Sequence, residues 1–443
     1  MRAVVAIVPR LGLGLALAGV AACATDGHAE VDARPAPPAA PAGCRTVEAD
    51  ADLAVAVAGA ADGDALCLAP GRFTGPVTLA RRITLWGPRD AVVTAHGGAS
   101  VVTVAAAGAR VAGFSIDGTG GSYDAFDAAV HVIADDVVVE GVEVDHSVYG
   151  ILVEKANRAT VRGNVVRGDA ATAMGLRGDT IRLWETRDSI VEDNLVEDGR
   201  DLVVWYSSGN RVARNRVLRG RYGTHLMYSH DNVIEDNRYL DGVVGIFVMY
   251  SHGVTLRRNL ISDAAGAAGM AIGLKDSGNM VVEHNLLVRD RTGLYLDQTP
   301  NQRGDTLAIR GNVIRQCDVA IAFHTTPQGT TIVDNDLADD LEPVRTESGV
   351  EPTAATWRGN YYDDYVGYDL DDDGVGDLPH EARSASETLI AGHPDLAFFR
   401  GGPVMGAIDA GSKLLPLWQP RILLVDPAPR MRPHDPEEVL RAR

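Results

Sequence analysis

Two stretches of the chain repeat a soft sulfur ligand and an imidazole at one spacing. "GTHLMYSHDNVIEDN" runs from Gly223 to Asn237, and "GIFVMYSHGVTLRRN" from Gly245 to Asn259. Met-Tyr-Ser-His returns after 22 residues, with a flanking Gly and Asn. Thioether and imidazole together suit Cu(I), a soft ion. His225, Met227 and Met249 are the candidate ligands, with His230 or His252 at the edge. Two other readings stand beside this one: a contact surface for another protein, and packing residues copied when a unit duplicated. A second chemistry is carried by "YDLDDDGVGD" (368–377), where Asp369, Asp371 and Asp373 alternate and are followed by Gly374 and Asp377. Oxygen ligands on alternate residues, then Gly for a sharp turn, make the front of a calcium loop. A full EF-hand needs Glu at the twelfth loop position, where His380 stands. An acidic turn that closes the fold without metal is the other reading.

The elements that must position these residues follow from the repeat. Aligned on the residue closing each V-x-x-N unit, the series is Phe114, Val142, Asn164, Asn194, Asn215, Asn237, Asn259, Asn285, Asn312, Asn335, Asn360. Most steps are 21 to 27 residues. Apolar and polar residues alternate within a unit, which is the strand period. One unit cannot bury its own apolar face, but stacked units bury a continuous core. The expected fold is all-β: a right-handed parallel β-helix of about ten coils, with an internal asparagine ladder. Leucine-rich repeats share the period but need an L-x-x-L-x-L pattern that is absent. A short amphipathic helix within 44–62 is expected to cap the start. Residues 361–443 break the repeat and form an irregular C-terminal extension. The stretches 115–127 and 167–178 read as longer loops leaving the stack.

Within a unit, the second and fourth residues after the Gly point outward. The fourth-slot column reads Glu154, Trp184, Trp205, Met227, Met249, Lys275, and the second-slot column includes Arg182, Val203, His225 and Phe247. Coils lie about 4.8 Å apart, so Met227 and Met249 become neighbours. An exposed stripe of Trp184, Trp205, Phe247 and the methionines has the composition of a contact surface.

Composition sets the outer limits. The chain has 443 residues, 46% apolar and 23% charged, enough to bury a core. A net charge of −19 argues against nucleic acid, whose phosphates it would repel. Arg2 and Arg10 preceding "LGLGLALAGVAA" read as an export signal, with an apolar run too short to be a stable membrane anchor. "VAAC" resembles a bacterial lipobox, which would put a lipid on Cys23; ordinary cleavage is the alternative. The expected organisation is a signal over 1–23, a Pro/Ala-rich tether over 24–43, the β-helix over 44–360 and the tail over 361–443. Cys44 and Cys67 can pair in an oxidising compartment, closing a loop worth about 3 kcal/mol in the entropic model. Cys317 sits in an apolar strand pattern and reads as a buried thiol.

At these residues the chain resembles the NosD family, the periplasmic β-helix maturation factor of nitrous oxide reductase. "RGDTIRLWETRDSIVEDN", "GRYGTHLMYSHDNVIEDN", "GIFVMYSHGVTLRRN" and "GMAIGLKDSGN" are similar to four successive coils of that family. Its His-x-Met-Tyr feature falls on His225, Met227 and Tyr228, and a Met in the following coil on Met249. "WRGNYYDDYVGYDLDDDGVGDLPH" resembles its closing segment, and "HPDLAFFRGGPVMGAID" and "LPLWQPRILLVDPAPRMRP" its tail. The resemblance implies a non-enzymatic platform that works with a membrane ABC transporter and a copper chaperone lipoprotein. Together they would supply the copper–sulfur centre of apo nitrous oxide reductase. It also implies that the tail after His393 docks on the transporter, for which Trp418 and the apolar run "ILLV" are suited. Membrane contact would come through a lipid on Cys23 or through the transporter. The lipobox departs from the family pattern, and His230 and His252 go beyond it.

A rival reading belongs to another class. Many parallel β-helices are polysaccharide lyases, hydrolases or epimerases, which need acids and a base converging in one groove. Glu154, Asp179, Glu185 and Asp297 are acids of that kind, but they scatter over different columns. A purely structural surface lipoprotein is a third reading.

Overall fold

The computed structural model describes residues 34–442 apart from 96–98, 119–121, 348 and 415–419. Cys23 and Trp418 lie outside the described residues. Three parallel sheets of 14, 12 and 13 strands run along the chain, each strand pairing with its equivalent one coil on. The architecture is the expected right-handed parallel β-helix. The first sheet alone has 14 strands, so the stack has about fourteen turns rather than ten. The earliest strands, Arg45–Val47, Ala65–Leu68 and Thr84–Trp86, belong to coils that close without Asn. An alignment keyed on that residue starts too late.

Val, Leu and Ile at alternate positions fill the interior; Val130, Leu183, Val204, Leu226, Val248 and Leu274 have no exposed surface. The asparagines form the internal ladder. Asn164 donates its side-chain amide to Asn194 at 2.9 Å, and the pattern continues through Asn215, Asn237, Asn259, Asn285, Asn312, Asn335 and Asn360 at 2.9 to 3.0 Å. Each rung also donates to a main-chain carbonyl, as Asn237 does to Val212 at 2.9 Å. The residue before each rung turns the corner in the left-handed region, with φ from +52° to +71°. Gly163, Gly311 and Gly359 take that position without strain.

Both ends are covered. The helix at the start is only Leu53–Ala58, capped by the Asp52 carboxylate accepting the Val55 N–H at 3.0 Å. Its Leu53 and Val57 are buried on the core. Residues expected to extend that helix instead open the first sheet at Arg45–Val47, where the Cys44–Cys67 disulfide ties two coils. The described part of the Pro/Ala segment does not hang free. The Trp86 indole N–H donates to the Pro38 carbonyl at 3.0 Å, Arg89 reaches Pro35, and a side chain at Gly141 would collide with Pro38. Of the stretch expected to loop out at 115–127, Ser115–Asp117 is instead a strand of the stack, while the Tyr123 hydroxyl donates to the Leu176 carbonyl of the second loop.

At the other end, His380–Ser384 pairs antiparallel with Arg421–Asp426. The "ILLV" run therefore serves the chain's own cap: Leu423 and Leu424 are buried. Sequence alone assigned it to a partner because a lone apolar strand does not reveal which strand it pairs with. Asp426 closes the asparagine ladder, accepting from the Asn360 amide at 2.9 Å.

A second buried column carries acids. Asp340 accepts the Cys317 N–H at 2.8 Å, and its other carboxylate oxygen has no partner. Burial pushes its carboxyl up to about 8, and pushes the free Cys317 thiol far up as well. An unfolded Asp ionises near 3.9. Between those pH values the folded state holds the extra proton, so stability falls as pH rises from about 4 to about 8. Asp340→Asn keeps the acceptor and removes the ionisation. It should gain on the order of 2 kcal/mol at pH 7 and almost nothing at pH 4, read from urea midpoints.

Candidate functional site

The copper candidates lie on the 12-stranded sheet. Strand Tyr222–Met227 pairs with Val244–Met249, setting His225 against Phe247 and Met227 against Met249. One coil earlier, Val203 meets His225 and Trp205 meets Met227. One coil later, Gly273 meets Phe247 and Lys275 meets Met249. The register thus puts His225, Met227 and Met249 on one outer face of two adjacent strands. A side chain at Gly273 would strike the Phe247 ring and the Met270 sulfur, so glycine there lets both lie across the sheet.

The face is less exposed than alternation implies. His225 is only 7% exposed, and Trp184, Trp205, Phe247, Met227 and Met249 are half-buried. The cause is aromatic crowding. The Trp205 ring stands edge-on to His225 at 5.3 Å, Tyr222 lies at 4.7 Å and Phe247 at 6.1 Å between ring centroids. Neither ring nitrogen of His225 has a hydrogen-bond partner. The nearest carboxylate oxygen, Oδ2 of Asp201, is 3.8 Å from Nδ1, beyond hydrogen-bond reach. A buried imidazole with no hydrogen-bond partner, on the same outer face as two thioethers, is a donor set of the kind a soft cation takes.

Asp201 is itself buried, receiving the Arg221 Nε–H at 2.9 Å, a second Arg221 N–H, and the Tyr222 N–H at 3.3 Å. Burial raises its carboxyl, but His225 and Arg221 outweigh that and hold it below the usual carboxylate range. On the preceding coil Arg182 donates to Asp179 at 3.1 Å. Its guanidinium lies 4.4 Å from the Trp184 ring, 5.0 Å from Trp205 and 5.3 Å from Phe126. The last ring comes from the turn just before strand Ala128–Val132.

A tyrosine column borders the methionines. Tyr206, Tyr228 and Tyr250 turn the corner with φ of +51° to +52°. Tyr206 and Tyr228 stack at 5.3 Å, Tyr228 and Tyr250 at 4.9 Å, and the first two are 47% and 44% exposed. Serines hold that corner: Ser207 N–H donates to Ser229 Oγ at 3.1 Å, and Ser229 N–H to Ser251 Oγ at 3.0 Å. His230 and His252 stand beyond it, and each is engaged. Nδ1 of His230 accepts the His252 backbone N–H at 3.1 Å, and Nε2 of His252 meets Asp305 at 3.1 Å.

The acids named by the rival reading are engaged too. Glu154 meets His131 at 2.9 Å, Glu185 accepts the Trp184 indole N–H at 3.0 Å, and Asp297 takes Lys275 at 2.5 Å. Asp179 is held by Arg182 and by Arg200 at 2.8 Å.

In the tail, carboxylate oxygens of Asp369, Asp371 and Asp373 lie within 4.8 Å of one another. Asp369 accepts the Gly374 N–H at 2.8 Å, and Asp377 accepts the Leu370 N–H at 2.7 Å, so those two also shape the loop. The Asp373 charge raises the Asp371 carboxyl above the usual range. His380 is packed on Tyr362 at 4.1 Å.

Sequence reading missed Asp201, Tyr222 and the stacking of the tyrosine column, of which it named only Tyr228. The column had a signal: Trp205-Tyr206-Ser207, Met227-Tyr228-Ser229 and Met249-Tyr250-Ser251 recur in step. Asp201 had none, because its partners lie a full coil away.

The family model described as periplasmic copper-binding protein (NosD) matches residues 166–367. A Pseudomonas aeruginosa protein named probable ABC transporter binding protein NosD is 29% identical over 359 residues, covering 77% of this chain and 83% of that protein. A Stutzerimonas stutzeri protein of the same name is 26% identical over 360 residues, covering 76% and 80%. Among solved structures, the chain is similar to a Yersinia enterocolitica family 28 exopolygalacturonase, at 12% identity and a TM-score of 0.47, covering 72% of this chain and 78% of that one. A likeness of that degree says nothing of activity. The chain is thus similar to the NosD family: the family model lies across the coils that carry His225, Met227 and Met249, and two relatives of that name align along three quarters of the chain.

Proposed function

We propose that the chain is a non-enzymatic periplasmic platform that carries Cu(I) on its outer ladder. In this reading it works with a membrane ABC transporter and a copper chaperone to supply the copper–sulfur centre of nitrous oxide reductase. The family's description as periplasmic and copper-binding supports the compartment and the cargo, and the relatives' names support the transporter. The observation that carries the reading is the buried His225 imidazole, with no hydrogen-bond partner, on the strand whose Met227 pairs with Met249. The engaged states of Glu154, Asp179, Glu185 and Asp297 support a platform over a sugar-cleaving enzyme.

Two surfaces suit the partners. Trp184, Trp205 and Phe247 with the tyrosine column form an aromatic ridge beside the methionines, fit for the protein that exchanges the ion. On the tail, Phe398 and Leu414 are 88% and 81% exposed, and they suit docking on the transporter. A lipid on Cys23 or that docking would hold the chain at the membrane.

The test is anaerobic competition with a Cu(I) chelator on the purified chain. One-to-one binding is expected; no binding would leave the ladder as a docking face only.

Calcium is the second assignment within this reading. The ion would sit at Asp369, Asp371 and Asp373, relieving the repulsion that raises Asp371, with Asp377 closing the loop. Millimolar Ca²⁺ should raise the melting temperature of the parent by a few degrees and leave Asp371→Ala unmoved. Equal response, or none, in both proteins would remove the ion from this loop.

A further inference from the structure

We infer that Asp201 is a positioning residue for the cargo site: it fixes the tautomer of His225 so that Nε2 is the nitrogen offered to the ion. This rests on the Cu(I) reading above and names a residue that the reading itself does not require.

The geometry gives the two ring nitrogens different neighbours. Nδ1 faces Asp201 Oδ2 at 3.8 Å, while Nε2 has no polar partner. A neutral imidazole carries one proton, and the anionic neighbour draws it to Nδ1. The lone pair then lies on Nε2. A carboxylate behind a ligating histidine fixes ring orientation and makes the ligand more basic. Asp201 is built for that role. It is 2% exposed, and Arg221 grips it through two N–H groups from 20 residues on. The ring is confined by Trp205, Tyr222 and Phe247, so it has little freedom to turn the other nitrogen outward. Arg200, 3.9 Å from the same carboxylate, adds a second cation. These cations hold Asp201 anionic. The 3.8 Å gap is one that a small ring shift on loading closes to a hydrogen bond.

Two measurements test this. The first uses the unaltered chain: long-range ¹H–¹⁵N correlation on ¹⁵N-histidine protein at pH 8 reads the tautomer of each imidazole, with His225→Gln assigning the signal. The Nδ1–H form is expected, and the Nε2–H form overturns the inference. The second compares Cu(I) affinity in the parent, Asp201→Asn and Met227→Leu. Asp201→Asn should weaken binding about 10- to 100-fold without abolishing it. Equal affinity in Asp201→Asn and parent overturns the inference while leaving the copper reading intact. A parent that binds no Cu(I) overturns both. If Asp201→Asn fails to fold, the tautomer measurement decides alone.

Discussion

Met227→Leu and Met249→Leu should each weaken Cu(I) binding at least about 100-fold, close to 2.7 kcal/mol of binding free energy. Each change removes one thioether and keeps nearly the same volume and apolarity, so packing survives. Cu(I) draws its affinity from soft donors, and oxygen donors do not replace them. Met270 puts another sulfur near this face, over Gly273 against the Phe247 ring, one coil beyond the pair. The Leu variants should keep the parent's urea midpoint to within about 0.5 kcal/mol, which separates a lost ligand from a lost fold. His225→Gln should fall with them. Unchanged affinity in both methionine variants would move the ion off this ladder and leave the face to protein contact or packing.

Asn237→Ala should cost the fold on the order of 4–6 kcal/mol, from summing the groups it strands at about 1–3 kcal/mol each. Asn237 is fully buried and its side chain makes four hydrogen bonds. It donates to Asn259 at 3.0 Å and to the Val212 carbonyl at 2.9 Å, and accepts from the Asn215 backbone N–H at 2.9 Å and amide at 3.0 Å. Alanine leaves donors and an acceptor unpaired where water cannot reach. Whole-domain stability is typically about 5–15 kcal/mol, so the variant should sit near the edge of folding. Urea unfolding followed by far-UV circular dichroism reads this. A shift below about 1 kcal/mol would mean that the rungs are spacers, with the apolar stack doing the holding.

The parts legible in the sequence were those fixed by period. Alternation gave the strands, the recurring Asn gave the ladder, and counting from each Gly gave the register that sets Met227 on Met249. The first coils were not legible because they close without Asn. Burial of His225 was not legible because the rings that cover it come from three different strands, each apparently facing water. The Arg221–Asp201 contact escaped for a related reason: on a coil, charges 20 residues apart are neighbours, and no local pattern announces them. The tail's "ILLV" failed differently, since an apolar strand names no partner until its pairing is known.

The asparagine ladder has a direction, and its last member is of another kind. Every rung passes an amide donor forward and offers a carbonyl back, so the series could in principle continue without end. Asp426 accepts from Asn360 but has no side-chain N–H to pass on. It behaves as a chain stopper does in polymerisation, a monofunctional unit that consumes the growing end. Stacked β-coils with matching ends are the raw material of fibres. Ending the series on a carboxylate leaves no side-chain amide donor at this end with which a further coil could continue the ladder.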